Sequence, residues 1–127
     1  MTTIGLVFAA LAALVHVYIF VLEAFLITKP AGMKTFGVKA EDAQTVKQWA
    51  FNQGFYNLFL AIGTAAGVVV HASGSHTVGS TLIYFGTGSM LAAGTLLAVT
   101  DRRLIRGASV QAVPALLAIL FLLGGGS

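Results

Sequence analysis

Apolar positions in this chain run in four blocks, near residues 3–27, 50–71, 78–99 and 109–124, with charges and helix breakers gathered in the gaps between them. A hydrocarbon core about 30 Å thick takes roughly 20 helical residues to cross, so the pattern predicts four transmembrane helices, the fourth a short one. Each of the first three blocks stops at recognisable punctuation: Lys29-Pro30, then Ser73-Gly74-Ser75-His76, then Asp101-Arg102-Arg103. Ala10-Leu11-Ala12 has the small-residue look of a signal-peptide cleavage site, yet no basic residue precedes it. The first block also outlasts an h-region of about 7–15 residues, so it reads as a retained helix.

Composition narrows the class. The 127 residues are 57% hydrophobic and 9% charged, with a mean hydropathy of +0.92, which leaves too little polar surface to coat a soluble globule. The expected fold is an all-α integral membrane four-helix bundle, one domain over residues 1–127. The tail Gly124-Gly125-Gly126-Ser127 is either native or a linker scar and is set aside. With no cysteine in the chain, disulfides, thiol nucleophiles and cysteine-based metal sites are excluded. No Gly-rich phosphate loop opens a helix after a strand and no set of metal ligands stands together, so neither a cofactor nor a metal is expected.

The charges locate the ends. All seven Lys and Arg residues fall in two connections: Lys29, Lys34, Lys39 and Lys47 after the first helix, Arg102, Arg103 and Arg106 after the third. In a four-span chain these connections share one side, and the positive-inside bias makes it cytoplasmic, with both termini and the 72–77 turn outside. The net charge of +3 thus reports topology and calls for no nucleic acid; membrane lipids, the anionic headgroups among them, are its expected partners. In the first connection Pro30-Ala31-Gly32 predicts a turn. Ala40-Glu41-Asp42 then puts acids where a helix begins, so the second helix is expected to project out of the membrane.

Glu23 is the one carboxylate inside an apolar block, and it follows His16 by seven residues on the same helical face. An ionisable group in a bilayer costs at least ~2.5–3.5 kcal/mol on insertion scales, so a retained one turns to a partner or a cavity. Gly5, Ala9, Ala12, His16 and Glu23 make a small and polar stripe that should face protein, with Leu11, Leu14, Tyr18 and Phe25 facing lipid. On the second helix Trp49, Asn52, Gln53, Tyr56 and Asn57 share an arc that continues through Gly63, Thr64 and Gly67. The third offers Ser80, Tyr84, Thr87, Leu91, Gly94 and Thr95, and the fourth contributes Gln111. Glu23 is expected about a turn inside the cytoplasmic end, level with Asn52, Gln53, Asn57 and Gln111, and His16 about 10 Å deeper. A pocket open inward and a bundle closed outward follow from that distribution.

Burial and hydrogen-bond donors act on the Glu23 proton in opposite senses, and the sequence leaves the outcome open. Glu23 suits proton exchange, an organic-cation partner, or general acid and base work with His16 behind it. Seven residues exceed the reach of a direct hydrogen bond along a straight helix, so a water or another helix would have to intervene. The same side chains also serve as interhelical glue, and Trp49 and Tyr56 fit an interfacial aromatic belt. His71 and His76, at the outer edge, do not complete a usual metal-ligand set. Ala9-x-x-x-Ala13, Gly63-x-x-x-Gly67 and Gly88-x-x-x-Ala92 suit close backbone approach within the monomer and leave a homo-oligomer open. Pro114 removes a donor from the carbonyl of Val110, which predicts a kink beside Gln111.

His16-Val17-Tyr18 leading to Glu23, then Asn52-Gln53-Gly54-Phe55-Tyr56-Asn57, then Gln111-Ala112-Val113-Pro114-Ala115, resembles the small four-helix bacterial membrane proteins grouped as domain of unknown function 1304. The resemblance spans essentially the whole chain and implies a four-span fold in a bacterial inner membrane, with no activity attached. It departs from the family pattern at Phe55, where Leu is expected, and at Ile27, where an aromatic is common; both are expected on a lipid-facing surface. Three functions stay open. One is binding or transport of a small apolar or cationic molecule in a cytoplasm-facing pocket formed by Glu23, His16, Trp49, Asn52, Gln53, Tyr56, Asn57 and Gln111. Another is a membrane-embedded enzyme, with Glu23 and His16 as acid and base in a reaction such as isomerisation of a lipid-soluble substrate. The third is a structural or partner-binding role.

Overall fold

The computed structural model describes residues 1–125, so Gly126 and Ser127 of the glycine-rich tail lie outside the described residues. In chain order the elements are α1 (Thr2–Ala24), α2 (Pro30–Phe36), α3 (Ala40–Ala72), α4 (His76–Thr100), a 3₁₀ turn (Arg102–Leu104) and α5 (Ile105–Gly124). Four helical runs, α1, α3, α4 and Arg102–Gly124, are long and apolar enough to cross a membrane. The all-α four-helix bundle expected from the hydrophobic pattern is the fold of the chain. α1 and α4 each pack against α3 and α5, so the long helices form a ring in which sequence neighbours run antiparallel. The chain's start and the end of α5 therefore meet: a side chain begun at Gly124 would fall 2.5 Å from Met1 Cε. The turn between α3 and α4 shares that end, and α2, the start of α3 and the 3₁₀ turn occupy the opposite, charged end.

The interior is made of small side chains and the exterior of large ones. Ala9, Ile83, Ala118 and Leu122 form one buried cluster, and Ala12, Met90 and Ala115 another. Leu14, Val69, Phe85 and Leu123 stand exposed. In water that arrangement would forgo ~1.5–3 kcal/mol for each large apolar side chain left outside. Lipid tails are as apolar as Leu, so helix association in a bilayer depends instead on the close approach that small residues permit.

Along α3 the buried residues Gly54, Asn57, Ala61, Thr64, Gly67 and His71 recur every three or four positions, one face of a helix. Trp49, Tyr56 and Gly63, expected on that face, are not on it: Trp49 and Tyr56 are exposed, and a Cβ on Gly63 would meet nothing within 4 Å. Tyr56 and Gly63 each precede a stripe position by one residue, which turns them about 100° round the helix, and Trp49 lies before the run that begins at Gly54. On α4, Ser80, Thr87 and Gly94 are buried as expected, whereas Thr95, one residue past Gly94, is exposed.

The charged end differs most from expectation. α1 stops at Ala24, not near 27, and Glu23 therefore sits in its last turn. Pro30-Ala31-Gly32 is not a turn but the start of α2, with Lys29 extended at the N-cap and Pro30 at the first helical position, where its fixed φ and missing N–H are suited. A Cβ on Gly32 would lie 2.0 Å from Leu26 O, so α2 lies directly on the segment that follows α1. Ile27 is 4% exposed in consequence, which corrects its expected lipid-facing position. Phe55 is likewise no plain lipid surface, since its ring packs edge-on against Phe20 at 4.9 Å across the α1–α3 seam. α3 begins at Ala40 with Glu41 and Asp42 in its first turn. Its 33 residues span about 50 Å at 1.5 Å each, more than a hydrocarbon core, so its first turns project. α5 runs through Pro114 without interruption.

Candidate functional site

Glu23 owes its partner to a close helix contact. A Cβ on Gly54 would come 3.0 Å from Ala24 N and 3.1 Å from Phe20 O, so glycine there draws α3 hard against the end of α1. Three residues further along α3, on the same face, Asn57 reaches across and its Nδ2 donates to Glu23 Oε1. Asn57 is 5% exposed, and a buried amide donating to a carboxyl is the kind of pairing that makes a polar group tolerable among apolar helices.

Beside this pair lies a cavity of about 490 Å³, within the roughly 300–1,000 Å³ typical of small-molecule sites. α1 supplies Ile19, Leu22 and Glu23 to its wall, with Tyr18 at the rim, and α3 supplies Gln53 and Asn57. α4 adds Ala93, Leu96, Leu97 and Thr100. Leu104 of the 3₁₀ turn and Gly107, Val110 and Gln111 of α5 complete the far side, while Thr35 and Phe36 of α2 close it from the charged end. The wall holds no Lys, Arg or His, and Glu23 is its one carboxyl group. A Cβ on Gly107 would meet nothing within 4 Å, which leaves the space beside α5 open.

Of the eight residues singled out in the sequence, Glu23, Gln53, Asn57 and Gln111 come together in this cavity. Trp49 and Asn52 line a different concavity with Gln48, Phe51 and Gln53, on the projecting start of α3. Tyr56 points outward and packs against Phe59. His16 is fully buried deeper in the bundle, off the cavity wall, and its Nδ1–H donates to Ala12 O at 2.8 Å. A carbonyl can only accept, so the proton is on Nδ1 and a neutral ring leaves Nε2 an acceptor. Nε2, like Thr64 Oγ1, has no partner among the described residues. No hydrogen bond joins His16 to Glu23 among the described residues, and the pair is about 10 Å apart along the helix.

Sequence reasoning missed the α2 contribution and the apolar wall from α4. The signal for α2 was present: Pro30 just inside its start and Gly37 just past its end are the usual boundary residues of a helix. The α4 wall carried none, since apolar residues at the end of a span look the same whether they face lipid or a cavity. Two other polar groups lie off the site. Asp101 caps the 3₁₀ turn by accepting from Arg103 N, and the Arg103 guanidinium bonds to both its oxygens, holding this carboxyl below the usual carboxylate range. At the opposite end of the bundle His71 and His76 stack with ring centroids 4.5 Å apart.

No curated protein and no solved structure matches the chain. The sequence pattern of one family does, over residues 10–123, a stretch that takes in every element of the cavity. The chain belongs to the family described as "Protein of unknown function (DUF1304)".

Proposed function

We propose that this chain is a membrane protein of the bacterial inner membrane that binds a small, largely apolar molecule, neutral or cationic, in the cavity beside Glu23, with the charged end in the cytoplasm. One observation carries the reading: hydrogen-bonding side chains from three helices, Glu23, Gln53, Asn57 and Gln111, converge on a cavity of drug-molecule size whose remaining wall is apolar apart from Tyr18, Thr35 and Thr100. The absence of any basic residue from that wall speaks against a phosphate or carboxylate ligand, which would face Glu23 with no compensating charge. Glu23 is the proton or cation partner, Asn57 orients its carboxyl, and Gln53 and Gln111 orient the ligand. The seven basic residues at the charged end support the cytoplasmic assignment.

Catalysis by a Glu23–His16 pair gains no support from this geometry, because His16 lies off the wall and bonds within its own helix. Transport requires a second opening, and the half of the bundle beyond His16 is filled by Ala9, Ile83, Ala118 and Leu122. Binding is the form of the reading favoured here. Native mass spectrometry of the protein purified in mild detergent, beside Glu23→Gln, tests it. The expected result is a small molecule retained by the wild type and lost from the variant; identical spectra for the two proteins would refute a ligand held at Glu23.

A further inference from the structure

We infer that the ligand is a single-chain amphiphile with an amine or hydroxyl head, and that it reaches the cavity sideways from the bilayer through a slot bordered by α1, α4 and α5. The inference rests on the binding reading above and adds the chemical class and the route.

The slot is visible in which lining residues are exposed. Tyr18, Leu96 and Val110 all line the cavity, and they are 61%, 64% and 55% exposed. Tyr18 lies six residues before the end of α1, about 9 Å along the axis, and Val110 five residues after the start of α5, about 7.5 Å. Leu96 lies four residues before the end of α4, so the open rim runs along the flanks of three membrane-spanning helices rather than across their ends. Gly107 sits between the start of α5 and Val110 and leaves the gap unfilled.

The end of the bundle is covered instead. α2 is seated on the Leu26–Ile27 backbone at Gly32, and its cap Gly37 lies where a Cβ would come 3.8 Å from Leu104 Cδ2. Between those two points Thr35 and Phe36 form the cavity's roof. Water at the charged end therefore meets α2, and lipid meets the slot.

The order of groups along the wall selects the ligand. Glu23, in the last turn of α1, stands near the interface, and the wall continues inward through Leu22 and Ile19 to Tyr18. Gln111 and Tyr18 are the polar residues at the depth of the rim. A polar head at the interface with an apolar body towards the bilayer centre is the arrangement an amphiphile already holds in a leaflet, so it can move in without inverting. Glu23 accepts one bond from Asn57 and retains acceptor capacity on its carboxyl. Its natural complement is a head that donates, and with no cation in the wall an anionic head is disfavoured.

The chain has no native cysteine, so a nitroxide on Val110→Cys in phosphatidylcholine vesicles reports the slot alone, with Leu120→Cys on the lipid-exposed side of α5 as control. Dodecylamine is the probe and butylamine, with the same head and no chain, its comparison. Collisions of the Val110 label with oxygen should exceed those with a water-soluble nickel chelate. Dodecylamine should slow the label and shield it from oxygen, leaving the Leu120 label unaffected, and butylamine at equal concentration should do neither. Adding Glu23→Gln should raise the dodecylamine concentration needed by roughly tenfold or more, the factor a charge-assisted hydrogen bond supplies. A label more accessible to nickel than to oxygen overturns the lateral route. An equal dodecylamine effect at both labels, or one indifferent to Glu23→Gln, overturns the ligand class. If either occurs while Glu23→Gln still loses the co-purified species, the binding reading survives and only this inference falls; if no species depends on Glu23, the binding reading itself has failed.

Discussion

Gly63 and Gly67 form one Gly-x-x-x-Gly motif, yet the two positions should respond oppositely to alanine. A Cβ on Gly67 would lie 2.9 Å from each of Gly79 O, Leu82 Cβ and Ile83 Cγ1, whereas one on Gly63 would meet nothing within 4 Å. Carbon contacts settle near 3.5–4.0 Å, so Gly67→Ala obliges α3 and α4 to part by roughly 0.6–1 Å. The obstruction includes a backbone oxygen, which no rotamer change can move aside. Overpacking of this kind costs about 1–3 kcal/mol. Replacing glycine by alanine in a helix returns up to about 1 kcal/mol of propensity at either site, and that gain cancels when the variants are compared. Gly67→Ala should therefore be about 1–3 kcal/mol less stable than Gly63→Ala, which itself should match or exceed the wild type. Reversible unfolding in mixed micelles by titration with dodecyl sulfate, followed by far-UV circular dichroism, measures both. Equal losses at the two positions, or a neutral Gly67→Ala, would refute the packing assigned to the α3–α4 contact.

The remaining predictions concern the charged end. A double-mutant cycle between Asn57→Leu and Glu23→Leu should give a favourable coupling of about 0.6–1.7 kcal/mol, the range for interhelical hydrogen bonds in membranes; a coupling indistinguishable from zero in the same unfolding assay would mean the bond adds no stability. Gly107→Leu should fill the cavity and abolish retention of the co-purified molecule while changing stability by no more than about 0.5 kcal/mol, as at positions free of steric conflict. Retention undiminished in that variant would place the ligand elsewhere. Arg103→Gln should raise the titration midpoint of Asp101, read by carbon-13 NMR of its carboxyl, towards the ordinary value of about 3.9. The sign follows from a folded value below the unfolded one: any stability the pair adds is present at neutral pH and disappears as pH falls through the folded midpoint. An unmoved midpoint would deny the guanidinium its assigned role.

Glu23 and Asn57 show what part of the site was legible. A carboxyl in an apolar helix and an amide in the turns of another near the charged end are conspicuous because each is costly in lipid without a partner, so their pairing could be anticipated from type and depth. Trp49 and Tyr56 were as conspicuous and belong elsewhere: Tyr56 is turned away by the phase of the helix between buried Gly54 and Asn57, and Trp49 lies on the projecting start of α3, before that buried face begins. For His16 the sequence indicated burial correctly, but not that its ring would be engaged by the carbonyl four residues earlier.

The sequence by itself determined the number of spans, the small-residue stripe of α1 and the separation of a charged end from a bland one. These follow from helical periodicity and from the energy of placing each residue in hydrocarbon, terms that depend on a residue and its near neighbours. Only the tertiary structure decided that α2 folds over the bundle end, that Gly67 and not Gly63 carries the helix contact, and that Leu96, Leu97 and Gly107 border a cavity. Lipid and an apolar cavity wall make the same demand on a side chain. Which of the two a given residue meets is set by the distance between helices, and that distance belongs to no residue alone.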